Sequence, residues 1–156
     1  MKRLITLLEK QNKKIAVAES CTGGLVSKMI TDISGASEVF EIGLVTYSNQ
    51  MKIAQLGVDP EIIEIFGVYS LETAGAMAMA IAKKAGADIG IGITGVAGSE
   101  PQEGIPAGKV FIALASENTL HFTETEPQNA DRKAIKETAI KAVIKLLKQY
   151  LDLKED

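Results

Sequence analysis

The sequence predicts an α/β protein with three layers, in which helices cover both faces of a mixed, mostly parallel sheet of about five strands. Short apolar runs alternate with amphipathic helical segments along the chain, which is typical of parallel strands joined by helices. Two late strands are separated by only two residues, which adds an antiparallel hairpin. The 156 residues, 46% of them hydrophobic, suffice for one buried core, so we expect a single domain over residues 1–156.

The first four elements are predicted from hydrophobic spacing. Leu4, Ile5, Leu7 and Leu8 mark an amphipathic docking helix at the start of the chain. A buried strand, KKIAVAES, then delivers Ser20 at its end, and GGLVSKMITDI follows as a helix. After the loop SGAS, the β-branched and aromatic residues of EVFEIGLVTYSN predict a second strand.

The middle of the chain is predicted to be helical. A short helix, QMKIAQLG, is stopped by Gly57. The next helix has Asp59 as its cap, Pro60 at its first position and Gly67 as its end. Ser70 then caps an alanine- and methionine-rich helix that ends near Gly86.

Three strands and a long helix complete the prediction. The third strand is ADIGIGIT, and a glycine- and proline-rich loop, GVAGSEPQEGIPAG, follows it. The strands KVFIALAS and TLHFTETE are joined by the two residues EN as a hairpin. The final helix is amphipathic, with Asp131 in its first turn.

Composition argues against several classes of partner. The net charge of -3 gives no support to nucleic-acid binding, which usually requires a basic face. The single cysteine forms no internal disulfide and fits a reducing compartment. The apolar stretch near the start is too short and too interrupted for a signal peptide or a membrane span. We therefore expect a cytoplasmic protein without a nucleic-acid or membrane partner.

Two glycine motifs resemble phosphate-binding loops without their context. GIGITG, residues 90–95, lies inside an apolar strand with no helix after it, and GIPAGK, residues 104–109, precedes a strand. One histidine and one cysteine cannot supply a zinc set, and the acidic residues show no ligand spacing. We expect no metal held by the protein's own side chains and no cofactor; the alternative is a magnesium ion bound through a substrate phosphate.

The unusual polar residues follow the predicted strands. The loops after Ala18, Tyr47 and Thr94 should meet at the carboxyl ends of the parallel strands, where such sheets bind ligands. In AESCTGG, Thr22 or Ser20 is a candidate helix cap, and Ser20 is also a candidate nucleophile at the mouth of a strand.

Lys52 is the candidate base for Ser20. Burial would favour its neutral form, which could take the proton of the Ser20 hydroxyl, and Tyr47 could relay or hold that proton. The alternative is a solvated helix lysine. His121 alternates with Phe122 in a hairpin strand and is interpreted as structural, so a Ser-His-Asp triad is not expected. Cys21 is a rival nucleophile, although a buried packing role is commoner.

Five motifs together carry a family resemblance: AESCTGG, VTYSNQMK, GVYS, TGVAG and ADR. Their order and spacing resemble those of the nicotinamide-nucleotide amidohydrolase family, which comprises the C-terminal domain of the competence-damage-inducible CinA proteins and the stand-alone PncC enzymes. The resemblance runs from about Leu4 to Tyr150. It implies a three-layer sandwich, usually in a homo-oligomer.

The resemblance also implies a reaction and its residues. The reaction is hydrolysis of nicotinamide mononucleotide to nicotinic acid mononucleotide and ammonia in pyridine-nucleotide salvage. Ser20 corresponds to the nucleophile, Lys52 to the base and Tyr47 to a supporting tyrosine. The expected substrate-binding residues are Thr22, Gly23, Ser37, Asn49, Thr94, Gly95 and Arg132. The alternative function is a catalytically silent nucleotide-binding or assembly module of the same fold.

Arg132 is also singled out by the residues alone. It is one of only two arginines, and it lies where the last helix is predicted to begin. A helix N-terminus favours an anion, and a guanidinium can hold a phosphate through two hydrogen bonds. The sequence therefore predicts that Arg132 binds the substrate phosphate.

Overall fold

The computed structural model describes residues 1–117 and 119–152. The elements are α1 (Lys2–Lys10), β1 (Ile15–Glu19), α2 (Leu25–Thr31), β2 (Phe40–Val45), α3 (Asn49–Met51), α4 (Pro60–Phe66), α5 (Leu71–Ala85), β3 (Ile89–Gly95), β4 (Val110–Ser116), β5 (Thr119–Glu124) and α6 (Arg132–Asp152). A 3₁₀ turn (Ala36–Glu38) precedes β2, and a π-helical turn (Lys52–Leu56) follows α3.

The five strands form one mixed sheet in the order β2-β1-β3-β4-β5. Strand β1 pairs in parallel with both β2 and β3. Strands β3, β4 and β5 pair antiparallel in succession. The predicted mixed sheet is therefore confirmed, and the carboxyl ends of β1, β2 and β3 meet at one edge.

Helices cover both faces of this sheet. On one face α1, α2 and α6 bury a large apolar cluster that includes Leu4, Leu8, Ile30 and Val143. On the other face α5 packs across β1, β3 and β4, and α4 packs against α5. The predicted three-layer arrangement is confirmed.

The glycines of GIGITG serve packing against a helix. A Cβ atom on Gly90 would collide with the main-chain oxygen of Ala78, and one on Gly92 would collide with that of Ala74. Because β3 presents no side chains at these two positions, α5 lies unusually close to the centre of the sheet. The motif therefore has no phosphate-binding geometry, as its sequence context indicated.

Local end signals predicted two helices well. The Asp59 side chain accepts a hydrogen bond from the Glu61 N–H at 2.9 Å, and Pro60 is the first residue of α4. Ser70 Oγ accepts from the Thr73 N–H at 3.1 Å at the start of α5. These short-range contacts need no tertiary partner, so the sequence alone revealed them.

Other boundaries differ slightly from the predictions. The end of the predicted loop SGAS is a 3₁₀ turn. Asp131 lies just outside α6, where its Oδ1 accepts from the Ala134 N–H at 2.8 Å. The antiparallel β4–β5 pair confirms the predicted hairpin, whose Asn118 lies outside the described residues, as do residues 153–156 of the predicted domain.

Residues 1–117 and 119–152 contain neither a cluster of metal ligands nor a membrane-spanning helix. In these ranges no three histidine, cysteine or carboxylate side chains are grouped as metal ligands would be. Over the same part of the chain, no helix combines the length and hydrophobicity needed to cross a bilayer.

Candidate active site

A cavity of about 210 Å³ opens at the edge of the sheet where the parallel strands end. The loops after β1, β2 and β3 contribute to its wall, together with the turn before α5 and the start of α6. The lining residues are Ser20, Cys21, Tyr47, Asn49, Lys52, Val68, Tyr69, Gly95, Val96, Ala97, Gly98, Gln102 and Arg132. The predicted meeting of three loops at this edge is confirmed.

Lys52 and Ser20 are in direct contact in this cavity. Lys52 Nζ lies 3.0 Å from Ser20 Oγ, and it also contacts the main-chain oxygens of Thr46 at 2.9 Å and Tyr47 at 3.5 Å. A neutral amine has two N–H groups and one lone pair. If the two carbonyls accept the two hydrogens, the lone pair faces the Ser20 hydroxyl. This arrangement can remove a proton from Ser20 Oγ.

Lys52 is buried, with a side chain only 1% exposed. Burial lowers the pKa of its ammonium group from the ordinary 10.5 to about 8. No described carboxylate forms an ion pair with it. A solvated helix lysine is therefore excluded, and a substantial fraction of Lys52 is neutral slightly above neutral pH.

Local structure aims the Lys52 stem inward. Ser48 Oγ accepts from the Met51 N–H at 3.2 Å and caps α3, which begins at Asn49, one residue before the predicted segment QMKIAQLG. The chain then widens into the π-helical turn, and Gly57 ends it with a φ of 78°. Such wide turns are rare and recur at functional sites.

Glu19 anchors the loop that carries Ser20. Its carboxylate is fully buried and accepts from the N–H groups of Gly24, Val26 and Ser27 at 2.8–3.1 Å. It also accepts from the Ser27 hydroxyl at 2.7 Å. Glu19 therefore caps α2 from the end of β1. The expectation that Thr22 or Ser20 provides the side-chain cap is wrong. The N-cap residue is Gly24, which has no side chain to form a capping hydrogen bond.

Cys21 is a buried thiol next to Ser20. Its side chain packs in the apolar cluster under α6, although the residue also touches the cavity. Burial raises the pKa of the thiol to about 12. Because the thiolate is the reactive form, Cys21 is a poor nucleophile at neutral pH.

Tyr47 and Asn49 lie at the mouth of the cavity. The Tyr47 side chain is 64% exposed, and its main-chain oxygen contacts Lys52. Among the described residues its hydroxyl makes no hydrogen bond to Ser20 or Lys52. A proton-relay role for this hydroxyl remains a prediction that depends on bound substrate.

Thr94 and Gly95 shape the cavity from the end of β3. Thr94 is fully buried, and its Oγ1 donates to the Val68 main-chain oxygen at 2.9 Å. It holds the neighbouring turn and is not part of the cavity lining, so direct contact with substrate is not supported. Gly95 does line the cavity, and a Cβ atom there would lie 2.6 Å from the Lys109 main-chain oxygen.

Thr22 and Gly23 belong to the loop that carries Ser20, but they do not line the cavity. The Thr22 hydroxyl is buried and has no hydrogen-bond partner in the described part of the chain. Gly23 adopts a φ of 63°, and a Cβ atom on it would lie 3.4 Å from Lys136 Nζ. Gly23 thus allows Lys136 to approach the loop, and substrate binding by either residue stays a prediction.

Arg132 lines the cavity from the first position of α6. Its guanidinium lies beside Gly98, with Nη2 3.7 Å from the place of a Cβ atom on that glycine. No described carboxylate pairs with Arg132. Its hydrogen-bond donors are therefore available to an anion.

The whole chain was also compared with known proteins. The family model described as CinA C-terminal domain matches residues 1–151. The chain belongs to the CinA C-terminal domain family. The family resemblance drawn from the motifs is thereby confirmed.

The relatives of this CinA C-terminal domain include longer proteins. A putative competence-damage inducible protein of Caldicellulosiruptor saccharolyticus is 42% identical over 149 residues, which cover 95% of this chain and 36% of that protein. A similarly named protein of Acetivibrio thermocellus is 48% identical over 112 residues, or 70% of this chain and 27% of that protein. The chain therefore spans about a third of the length of the curated relatives it matches.

Solved structures of CinA superfamily proteins have the same fold. One from Klebsiella pneumoniae has a TM-score of 0.92 and 28% identity, covering 97% of this chain and 94% of that one. The competence/damage inducible protein CihA from Agrobacterium tumefaciens has a TM-score of 0.88 and 31% identity, covering 97% and 92%.

Ser37 is not at the cavity of this CinA C-terminal domain. It lies in the 3₁₀ turn before β2 and lines a separate depression with Gly35 and Phe40. That turn returns the chain to the beginning of β2, whereas Ser20 follows the end of β1. Since β1 and β2 are parallel, these positions lie at opposite edges of the sheet. The prediction that Ser37 binds substrate in the Ser20 cavity is not met within one chain.

Two polar lining residues of the CinA C-terminal domain were not predicted. Tyr69 comes from GVYS, a motif in which only Gly67 and Ser70 had been assigned a role, as helix ends, and Gln102 comes from the glycine-rich loop. A tyrosine directly before a helix cap is a signal that could have drawn attention to position 69. His121, by contrast, packs edge-on against the Tyr150 ring, away from the cavity, as expected for a structural residue.

Proposed function

We propose that the protein hydrolyses the carboxamide of nicotinamide mononucleotide to nicotinic acid mononucleotide and ammonia. Ser20 is the nucleophile and Lys52 is its base. The observation that carries the proposal is the 3.0 Å contact between Lys52 Nζ and Ser20 Oγ, made by a lysine whose burial favours the neutral amine. A Ser-Lys pair activates a hydroxyl without a histidine.

The reaction proceeds through an acyl-enzyme. Lys52 Nζ takes the Ser20 proton while Oγ forms a bond to the amide carbon. The protonated Lys52 then returns the proton to the leaving nitrogen as the C–N bond breaks, so ammonia departs. A water molecule attacks the resulting ester with Lys52 again as the base, and the carboxylic acid and free Ser20 are released.

The Ser20 loop can also stabilise the negative oxygen of the tetrahedral intermediate. In the described ranges the N–H groups of Cys21 and Thr22 donate to no main-chain oxygen, whereas the Ser20 N–H is already bonded to the Ile93 oxygen. Free amide donors next to a nucleophile are the usual components of an oxyanion hole. Glu19 keeps this loop in place from behind.

The start of α6 supports recognition of the phosphate. Arg132 and Lys136 are one helical turn apart, so both can face the Ser20 loop. Lys136 approaches Gly23, and neither side chain has a carboxylate partner among the residues described. Two unpaired cations near a catalytic serine favour an anionic substrate.

The second candidate is a silent nucleotide-binding or assembly module. It would explain the unpaired cations Arg132 and Lys136. It would not explain the buried Ser20–Lys52 contact, because removing the Lys52 ammonium from water costs free energy that no reaction would justify. The homo-oligomer and the role in pyridine-nucleotide salvage implied by the family resemblance remain predictions.

Ammonia release from nicotinamide mononucleotide by the purified chain tests the proposal. We expect turnover by the unsubstituted protein and a loss of several orders of magnitude in Ser20→Ala. Ser34→Ala is the matched control, because Ser34 is exposed and does not line the cavity. Binding of the nucleotide without any ammonia release would favour the silent module, and full turnover by Ser20→Ala would exclude Ser20 as the nucleophile.

A further inference from the structure

Tyr69 forms part of the wall of the Ser20 cavity but has no role in the mechanism above. It is partly buried, and it lies close enough to Cys21 and Tyr47 for both to affect its ionisation. No ring contact joins Tyr47 and Tyr69 in the described chain. The two tyrosines therefore both line the cavity, and their rings do not stack on each other.

The turn that carries Tyr69 is held by side-chain hydroxyls on both sides. Thr94 Oγ1 donates to the Val68 oxygen at 2.9 Å. Ser70 Oγ and Thr73 Oγ1 donate to the Gly67 oxygen at 2.8 and 2.7 Å. These bonds restrict the backbone directly before and after Tyr69, so its position is set before any substrate arrives.

A carboxylate, that of Glu103, lies near Tyr69. Burial raises the pKa of its phenol, and the nearby Glu103 carboxylate raises it further, so the ring stays uncharged with its electron-rich face intact. Glu103 Oε2 lies 3.9 Å from the place of a Cβ atom on Gly67. Reciprocal hydrogen bonds between Gln102 and Ile105, of 3.0 and 2.8 Å, close the turn that presents Glu103.

Arg132 makes a different part of the same lining positive. The cavity therefore has a cation-attracting wall at Tyr69 and an anion-attracting one at Arg132. Its volume of about 210 Å³ is below the roughly 300–1,000 Å³ of pockets that enclose drug-sized ligands. It suits a single planar ring with its amide, and the remainder of a nucleotide would extend toward the mouth.

From this polarity we infer that Tyr69 is a specificity residue, which selects amides carried on a planar, positively charged ring by contact between that ring and its aromatic face. The inference rests on the proposed function and adds the charge of the ring as a criterion. A pyridinium ring meets it. The reduced dihydropyridine ring carries the same amide and the same phosphate but no positive charge, so it should bind less well.

The test compares binding of oxidised and reduced nicotinamide mononucleotide by calorimetry, using Ser20→Ala protein so that no hydrolysis occurs. The measured quantity is the dissociation constant of the reduced form divided by that of the oxidised form. We expect Tyr69→Val to lower this ratio by about 5- to 30-fold and Tyr69→Phe, which keeps the ring, to leave it nearly unchanged. Glu103→Gln should also lower it, whereas Glu100→Gln, an exposed neighbour in the same loop, should not.

An unchanged ratio in Tyr69→Val, or an equal loss in Tyr69→Phe, overturns the inference. Thermal unfolding shows whether each variant is folded. If Tyr69→Val is not folded, an unchanged ratio of dissociation constants in Glu103→Gln overturns the inference instead. The unsubstituted chain separates this outcome from failure of the proposed function. If the unsubstituted chain releases ammonia but the ratio does not change in Tyr69→Val, only the specificity role of Tyr69 is lost. If the unsubstituted chain neither binds nor hydrolyses the oxidised nucleotide, the proposed function fails, and the inference fails with it.

Discussion

Glu19 and Ser27 are joined by two hydrogen bonds, in which Glu19 Oε1 accepts from the Ser27 N–H at 2.8 Å and from the Ser27 hydroxyl at 2.7 Å. Glu19 ends β1 and Ser27 lies in the first turn of α2. The pair therefore spans the loop that carries Ser20, so the geometry of the proposed nucleophile depends on a carboxylate that has no role in the proposed reaction.

Replacing Glu19 should destabilise the protein. Glu19→Ala leaves several buried N–H groups without an acceptor, which costs about 3 kcal/mol and lowers the melting temperature by roughly 6–12 °C. Glu19→Gln should be nearly as harmful, because its amide NH₂ would face other donors. Glu64→Ala, at an exposed position of α4, is the control and should change stability little. Calorimetric melting measures all three, and an unaltered Glu19→Ala protein would contradict the anchoring role.

Cys21→Ala should retain most of the ammonia-releasing activity. The pKa of this thiol is about 12, so almost no thiolate is present at neutral pH. The substitution leaves only a small cavity in the apolar cluster. Steady-state kinetics on nicotinamide mononucleotide provide the measurement. A loss as large as that of Ser20→Ala would transfer the nucleophilic role to the thiol.

The rate should rise with pH as Lys52 loses its proton. Since burial lowers the Lys52 pKa to about 8, kcat/KM should increase through an apparent pKa near 8 and level off above it. Lys52→Arg keeps the positive charge but cannot become neutral in this range, so it should be nearly inactive. A pH-rate profile of both proteins checks this. Substantial rescue by arginine, or a rate that falls as pH rises through 8, would show that Lys52 acts through its charge.

Lys52 should also make stability depend on pH. Its pKa is about 8 in the folded state and near 10.5 when unfolded, so between these values the unfolded chain binds more protons and stability rises with pH. Lys52→Met lacks this titration. The difference between the free energy of unfolding of the unsubstituted chain and that of Lys52→Met should therefore shift in favour of the unsubstituted chain between pH 8 and 10. Urea titrations at several pH values measure both free energies. A constant difference between the two would mean that the Lys52 pKa is not lowered by folding.

Arg132→Ala should weaken binding of the phosphorylated substrate selectively. Loss of a charge-assisted contact to phosphate should raise KM for nicotinamide mononucleotide roughly 10- to 100-fold. Any slow reaction with nicotinamide riboside, which has no phosphate, should change much less. Lys133→Ala is the control, because Lys133 is the exposed neighbour of Arg132 and does not line the cavity. Equal losses for the two substrates would show that Arg132 is not a phosphate ligand.

Much of the fold was predictable because its signals are local. The caps Asp59 and Ser70 bond to N–H groups two and three residues away, and the periodicity of apolar residues assigned each helix and strand. The order of elements then implied a layered α/β sheet with its polar loops at one edge. Ser20 was found at the end of a predicted strand, and Lys52 in the short helix predicted after the next strand.

Only the tertiary structure decided what these residues touch. Ser20 and Lys52 are 32 positions apart, and their contact exists because β1 and β2 pair in parallel and end together. The same pairing sends Ser37 to the opposite edge, although it is close to both in sequence.

The roles of Thr94 and Tyr69 also depended on long-range packing. Thr94 reaches the Val68 oxygen across 26 positions and so supports the wall beside Tyr69. Element type and end signals are properties of neighbouring residues, so the sequence by itself determined them. Burial, and with it the lowered pKa of Lys52, depends on which distant surfaces come together, and no local pattern encodes that.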